Sequence, residues 1–303
     1  MSKIAVMGAG AVGCYYGAML ARAGHRVTMI GRPAHVEAMR TNGLVLETSS
    51  FSEVLRVEAT TEADGVEGAD LVLFCVKSDD TLQAGKEIAP YLGPETAVIS
   101  LQNGVDNAAR LETVLGRPVT PAAVYVAVEM AGAGHVKHHG RGDLVLGQSR
   151  SSPDFASAFT AAGVPTEVSE NVIGELWAKL AVNCAYNAIS AIGQLSYGRM
   201  TAVEGVRDVM RDVVAECLAV AAQQNVRLPD DIFNTVLGLA ELMPNQLSST
   251  AQDLARGRRS EIGHLNGYVV RTGQACGVST PVNRVLLAMV RLLEEKIPPT
   301  EKA

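Results

Sequence analysis

Basic charge is in short supply. Lys and Arg number 26 against 32 Asp and Glu, a formal net charge of −6 with both signs spread along the chain. A binder of nucleic acid or of an anionic membrane surface needs a basic patch, and none appears, which argues against both partners. Cysteine is also sparse: Cys14, Cys75, Cys184, Cys217 and Cys276 are odd in number, scattered, and lack a C-x-x-C spacing. That pattern is not a disulfide framework, and the five read as reduced core residues of a cytoplasmic protein. Unbroken membrane-length apolar runs are missing as well. Ile4 to Ala21 carries no charge and follows Lys3, as a signal peptide or span would, but glycines at 8, 10, 13 and 17 break it. It fits a strand, a turn and a helix in succession.

What is present is enough apolar material for well-filled cores: 48% hydrophobic residues over 303, at a mean hydropathy of +0.15. The length accommodates two domains. The first half alternates short apolar strands with helices: Lys3–Met7, a helix over 11–23 ended by Gly24, Arg26–Ile30, a strand over 71–76, a helix over 80–90, a strand over 97–101, a helix over 105–115 and a strand over 120–128. That is the pattern of a doubly wound parallel sheet. Segments 44–47 and 54–59 read as an inserted hairpin, and 135–137 with 144–146 as a second. A helix over 152–162 and a short strand over 166–168 complete this half. After about Ser169 the strand signals stop, and helical patterns run over 173–192, 202–224, 230–239, 249–256, 260–275 and 282–295, with a frayed tail from 297. The expected domains are 1–168 and an all-helical 169–303.

Gly8-Ala9-Gly10-Ala11-Val12-Gly13 follows the first strand and opens the first helix, the context in which G-x-G-x-x-G binds a dinucleotide. Gly8 permits the tight turn, Gly10 lets a pyrophosphate reach backbone donors at the positive helix end, and Gly13 allows helix and strand to pack closely. The second strand then ends Met29-Ile-Gly-Arg32. An NAD site usually places an acid there for the ribose hydroxyls. Here the acid is missing and Arg32 suits the 2′-phosphate of NADP, so NADPH is the expected cofactor. Lys77 in Cys75-Val-Lys-Ser78 and Asn103 in Ser100-Leu-Gln-Asn-Gly104 lie just past apolar strands, where they can face the nicotinamide and ribose; alone, each also suits a turn or cap.

The helix over 173–192 carries a narrow polar stripe, Lys179, Asn183, Asn187 and Ser190, on a surface otherwise apolar. At about 100° per residue the four fall within roughly 80° of one another. One ammonium and two amides in a setting that expects burial need partners, so the stripe either lines a cleft for a polar ligand or forms an interhelical hydrogen-bond network. His135-Val-Lys-His138-His139 lacks a nearby cysteine or carboxylate at ligand spacing and sits in an expected hairpin loop, so no metal site is assigned.

These residues together resemble one family. The glycine loop, Gly31-Arg32, Val76-Lys77, Gln102-Asn103-Gly104, Lys179-Leu-Ala-Val-Asn183 with Asn187, Ser248-Ser-Thr with Asp253, Glu261-Ile and Asn266-Gly267 look like those of the ketopantoate reductases (2-dehydropantoate 2-reductases), in order and over nearly the whole chain. The resemblance implies an α/β Rossmann-type N-terminal domain followed by an all-α C-terminal domain. It implies NADPH-dependent reduction of 2-dehydropantoate to (R)-pantoate, a step towards pantothenate and coenzyme A. By resemblance Lys179 is the general acid, Asn103, Asn183, Asn187 and Ser249 hold the small 2-oxo acid, and Glu261 contacts the cofactor and helps set the lysine's environment. Ala127 joins the glycine loop (Gly8 to Gly13), Arg32, Lys77 and Asn103 as a cofactor contact, and a homodimer is the one assembly considered.

The chemistry of the stripe agrees independently, because hydride delivery to a ketone builds negative charge on oxygen beside which a proton-donating cation belongs. Ser249-x-x-Gln252 also reads as a capping box, a role compatible with substrate binding. Two positions depart from the family pattern: Tyr197 and Gln246 stand where substrate-side asparagines are expected. Both leave open a reductase of the same architecture for another branched or small 2-oxo acid. A non-catalytic NADPH-binding protein is a third reading, which has no need of Lys179.

Overall fold

The computed structural model describes residues 2–228 and 231–297, and the chain divides into two compact units, Met1–Ile173 and Gly174–Ala303. The first unit alternates β1 (Lys3–Met7), α1 (Ala11–Arg22), β2 (Arg26–Ile30), α2 (Pro33–Asn42), β3 (Leu44–Glu47), β4 (Ser52–Leu55), β5 (Glu58–Thr60), β6 (Leu71–Phe74), α3 (Thr81–Ile88), β7 (Ala97–Ser100), α4 (Asn107–Leu115), β8 (Thr120–Gly132), β9 (His135–Gly147), α5 (Ser152–Ala161) and β10 (Thr166–Ser169).

These strands form one mixed sheet in the order β4-β3-β9-β8-β7-β6-β1-β2-β5, with β10 paired to β9. Its half from β8 to β5 is parallel, in the doubly wound order whose switch point lies between β1 and β6. Alternation along β1 sends Ile4 and Val6 into a core with α1 and α5, and Ala5 and Met7 into a second core with α3 and α4. The other half is antiparallel at β8–β9 and β3–β4, and parallel at β3–β9 and β9–β10. Packing of β3, β8 and β9 against α1, in addition to β1, buries Gly13 through Leu20 without a break. This explains the uncharged run: it is a central strand followed by an enveloped helix. No helix among the described residues is long and apolar enough to cross a membrane.

Three expectations in this unit need correction. Segment 54–59 is not one strand: β4 closes a hairpin on β3, whereas β5 pairs in parallel with β2 at the opposite end of the sheet. The turn at Arg56 and Val57 between them carries no Gly or Pro signal. Helix α2 is unanticipated because it buries only Val36 and Met39, too few apolar residues for a period, although Pro33 at its first turn and Gly43 at φ +80° mark both ends. The histidine segment is not a loop, and 135–137 and 144–146 are not two arms of a hairpin, since both pair with β8. The whole stretch lies in β9, a 13-residue strand whose alternation is interrupted where Gly140-Arg141-Gly142 meets bulges in β8.

The second unit is helical throughout its described residues. Its elements are α6 (Val172–Gly193, entered from the first unit), α7 (Tyr197–Thr201), α8 (Val206–Gln223), α9 (Ile232–Leu242), α10 (Ser249–Ala255), α11 (Asn266–Cys276) and α12 (Pro281–Glu294). The expected helix over 202–224 is preceded by the separate α7 and begins at Val206, after Gly205 at φ +80°. That over 260–275 is split into a 3-10 turn, Ile262–His264, and α11 by the non-helical Leu265. The expected start of α9 at Asp230 and the tail beyond Ile297 lie outside the described residues.

One buried polar chain fixes α6. The Glu216 carboxylate accepts the Val282 and Asn283 amides at the start of α12 (2.8 and 2.9 Å) and the Asn283 side chain at 2.7 Å. A carboxylate at that positive helix end is favourable. Asn283 Oδ1 accepts from Asn266 Nδ2 at 2.9 Å, and Asn266 Nδ2 also donates to the Cys184 carbonyl of α6 at 3.2 Å. That carbonyl lies between Asn183 and Asn187, so the chain ties α12 and α11 to the turn of α6 that carries the polar stripe.

Candidate functional site

In the first unit the glycine loop turns tightly from β1 into α1. The Gly8 and Ala9 amides both donate to the Ile30 carbonyl at 2.9 Å, and the first bond inside the helix runs from Cys14 to Gly10 at 2.8 Å. The Ala11, Val12 and Gly13 amides therefore have no intrahelical acceptor, at the positive end of an uncapped helix. The three glycines differ in what a side chain would meet. At Gly8, φ +109°, a Cβ would stand 2.7 Å from the Cys75 backbone; at Gly13 it would overlap the Gly8 carbonyl oxygen and the Val6 side chain. At Gly10 it would meet no atom within 4 Å. Two glycines thus serve packing, and the third keeps open the space in front of the helix. The arrangement fits a dinucleotide pyrophosphate.

Around this loop the sheet's carboxyl ends supply the other expected contacts. Arg32 is exposed in the turn from β2 to α2, whose N-cap it forms through its carbonyl to His35 and Val36. Lys77 is exposed after β6 and Asn103 half-buried after β7. Half-buried Ala127 pairs with Gly140 at the β8 bulge.

In the second unit the polar stripe of α6 divides in two. Its lower half is a structural clasp: Ser190 Oγ donates to the Leu195 carbonyl at 2.8 Å and accepts the Ser248 amide at 3.3 Å, while the Asn187 carbonyl accepts from Ser248 Oγ at 3.2 Å. The Asn187 amide donates to Ser249 Oγ at 3.3 Å. Its upper half is different in kind. Lys179 and Asn183 are half-buried, and the Asn183 amide makes no side-chain hydrogen bond to any described residue. The expected cap also shifts by one residue: Ser248, not Ser249, caps α10, its hydroxyl accepting the Ala251 amide at 3.0 Å. Ser249 is the first helical residue and its hydroxyl is left at the surface. Glu261 is half-buried just before the 3-10 turn instead of in the first turn of a long helix.

The two departures from the family pattern are neighbours. The Tyr197 amide donates to the Gln246 carbonyl at 2.9 Å, and the Tyr197 ring lies 4.4 Å from that of Tyr186, nine-tenths buried. Tyr186 is itself fixed by its hydroxyl, which donates to the Val236 carbonyl at 2.7 Å and accepts the Ala240 amide at 3.1 Å. The histidines of β9 go to separate partners: His135 to Glu47 at 3.0 Å, His139 to Glu129 at 2.9 Å, His138 onto the Tyr15 ring at 4.6 Å. Lys137 also reaches Glu47, and its hydrogen bond holds that carboxyl below the usual range.

A mixed sheet whose parallel half carries a glycine turn at its switch point, joined to a helical unit with a lysine-asparagine stripe, defines a nicotinamide-dependent oxidoreductase. The chain belongs to the ketopantoate reductase family: residues 4–151 match the family model for ketopantoate reductase PanE/ApbA, and residues 171–294 match that for its C-terminal part. It is 32% identical over 300 residues to the 2-dehydropantoate 2-reductase of Pyrococcus horikoshii, covering 96% of this chain and 97% of that one. The crystal structure of a PanE/ApbA family ketopantoate reductase from Ralstonia eutropha JMP134 matches with a TM-score of 0.94 at 59% identity, over 97% of this chain and 99% of that one. D-mandelate dehydrogenase, solved with NADH and anilino(oxo)acetate, shares the fold at a TM-score of 0.91 and 23% identity, over 97% and 99% of the two chains.

Proposed function

We propose that the protein reduces 2-dehydropantoate to (R)-pantoate with NADPH, a step towards pantothenate and coenzyme A. The observation that carries this reading is the Asn183 amide, half-buried and unengaged by side chains one helical turn from Lys179. An amide so placed, with donor and acceptor uncommitted to other side chains, is available to a ligand's oxygens. When bound, the reduced nicotinamide supplies a hydride to the carbonyl carbon. Lys179 then gives a proton to the oxygen on which charge develops and regains one from solvent. Asn183 and the Asn187–Ser249 pair offer an amide and a hydroxyl to the substrate's oxygens, and Glu261 contacts the cofactor and helps set the lysine's environment. Asn103 contacts both ligands. The backbone from Gly8 to Gly13 holds the pyrophosphate, with Lys77 and Ala127 beside the nicotinamide ribose.

Arg32 supports NADPH over NADH, since no carboxylate ends β2 and a guanidinium suits a phosphate bidentately. The test is NADPH oxidation with 2-dehydropantoate, pyruvate and 2-oxoisovalerate, run with NADH in parallel and repeated on Arg32→Ala. Faster turnover with the first substrate and NADPH, and loss of the cofactor preference in the variant, is the expected result. Equal or absent turnover with all three substrates contradicts the assignment.

Two further readings belong here. The described cysteines are all free thiols, which suits a reducing compartment, the cytoplasm. A homodimer fits α12, where Val285, Met289 and Leu292 form an exposed apolar stripe opposite the buried Leu286 and Val290.

A further inference from the structure

Lys77 and Asn103 stand on separate loops, after β6 and β7, and five buried polar side chains join those loops: Ser78, Thr81, Ser100, Gln102 and Asn107. Gln102 Nε2 donates to the Val76 carbonyl at 3.1 Å and to Thr81 Oγ1 at 2.7 Å, while its Oε1 accepts from Ser100 Oγ at 3.0 Å. Thr81 passes its one proton to the Ser78 carbonyl at 3.0 Å, with Asn107 Oδ1 at 3.3 Å. Asn107 Nδ2 donates to the Asn103 carbonyl at 2.6 Å and to Ser78 Oγ at 2.9 Å, and its Oδ1 accepts from Arg110 at 3.0 Å. Both amides use every donor, so neither can rotate without breaking the set.

Of the three carbonyls captured, that of Ser78 anchors the start of α3, and those of Val76 and Asn103 belong to the peptide units that lead into Lys77 and into Gly104. In a trans peptide the N–H points opposite to the C=O. Turning the latter two carbonyls inward therefore turns the Lys77 and Gly104 amides outward, on the side away from the network. Gly104 sits at φ +94°, and its amide makes no hydrogen bond among the described residues. A network serving only the fold could have bonded side chain to side chain. This one grips the backbone at the two points where expected cofactor contacts emerge.

We infer that Gln102, Thr81 and Asn107 are positioning residues for the nicotinamide half of the dinucleotide, acting through the Lys77 and Asn103–Gly104 peptide units. The inference rests on the proposed reading of Lys77 and Asn103 as cofactor contacts. Its test is direct titration of the full-length protein with NADPH by quenching of protein fluorescence, alongside KM and kcat for both substrates and the melting temperature. Thr81→Val removes the hydroxyl at constant shape and Thr81→Ser keeps it; Asn107→Ala is the second variant if the first does not fold. The expected result is a rise of about tenfold or more in the NADPH Kd and KM for Thr81→Val, with the Thr81→Ser value near that of the parent. A lower melting temperature with unchanged Kd, KM and kcat in the folded fraction makes the network purely structural and overturns the inference. The titration needs no 2-oxo acid, so a parent protein that binds NADPH yet reduces none of the three substrates removes the substrate assignment while the Kd comparison still decides the inference. A parent protein that binds neither NADPH nor NADH removes both.

Discussion

Lys179 is the residue on which the proposed reaction turns, because among the stripe's four members it alone can both attract a developing oxyanion and give it a proton. Lys179→Ala is expected to lower kcat by about a hundredfold or more, as for loss of a general acid, with the NADPH Kd unchanged. Steady-state kinetics with a parallel binding titration checks this, and full turnover in the variant would return the stripe to a structural role. Much of this was legible in the sequence because a helix repeats its face locally: Lys179, Asn183 and Asn187 are four apart, and no knowledge of distant contacts is needed to place them together. The same logic could not separate them. That Asn187 and Ser190 clasp Ser248 while Asn183 is left without a side-chain partner depends on a segment about 60 residues away. The cap on α10 shows the same boundary, since Ser248 and Ser249 are equivalent on paper and differ only in which one meets the Ala251 amide.

Elements differ in how far their sequence announces them. The strand-loop-helix of β1 and α1 was readable residue by residue, since each glycine answers a local need, and the loop makes a sharp prediction. Gly10→Ala is expected to fold normally, there being no atom within 4 Å of the added methyl, but to weaken dinucleotide binding by obstructing its approach. Gly13→Ala is expected to destabilise by about 1–3 kcal/mol or more, since its methyl must displace backbone and the Val6 side chain. Urea unfolding and NADPH titration of the two variants separate these effects; equal losses of stability would contradict the distinction. Helix α2 was not readable, and strand β9 was readable only at its two ends, 135–137 and 144–146, taken for the arms of a hairpin. One lacks a sufficient apolar face and the other has its alternation broken by Gly140-Arg141-Gly142, whose value lies in accommodating Tyr15, a contact more than 120 residues distant. The set around Thr81 and Asn107 was invisible for the same reason.

Across the whole molecule, burial leaves an electrostatic signature. It pushes the Cys14 thiol and the Tyr186 phenol up to about 12, and raises the Cys184, Tyr16 and Tyr197 protons as well. Because the folded values lie above the unfolded ones, near 9 for thiols and 10 for phenols, their contribution to stability is complete below about pH 9 and is lost as the pH rises towards 12. Urea midpoints measured from about pH 7 to about pH 11 are expected to fall steadily above pH 9; a flat profile would contradict the buried placement of these groups. The proposed dimer is a second property of the whole chain. Light scattering is expected to give twice the chain mass for the parent and the single mass for Met289→Glu, which places a charge in the stripe of α12. A parent of single mass removes that proposal.

The enveloped position of α1 has a thermodynamic consequence for ligand capture. With Gly13 through Leu20 packed against strands of both halves of the sheet, the helix that presents the Ala11, Val12 and Gly13 amides has no alternative arrangement to give up when a pyrophosphate arrives. The loss of conformational freedom that such a site demands is therefore met once, when the chain folds, and not again at each encounter. In the proposed reading the loop acts as a rigid receptor, and the adaptation to the two ends of the dinucleotide falls to the exposed side chains of Arg32 and Lys77.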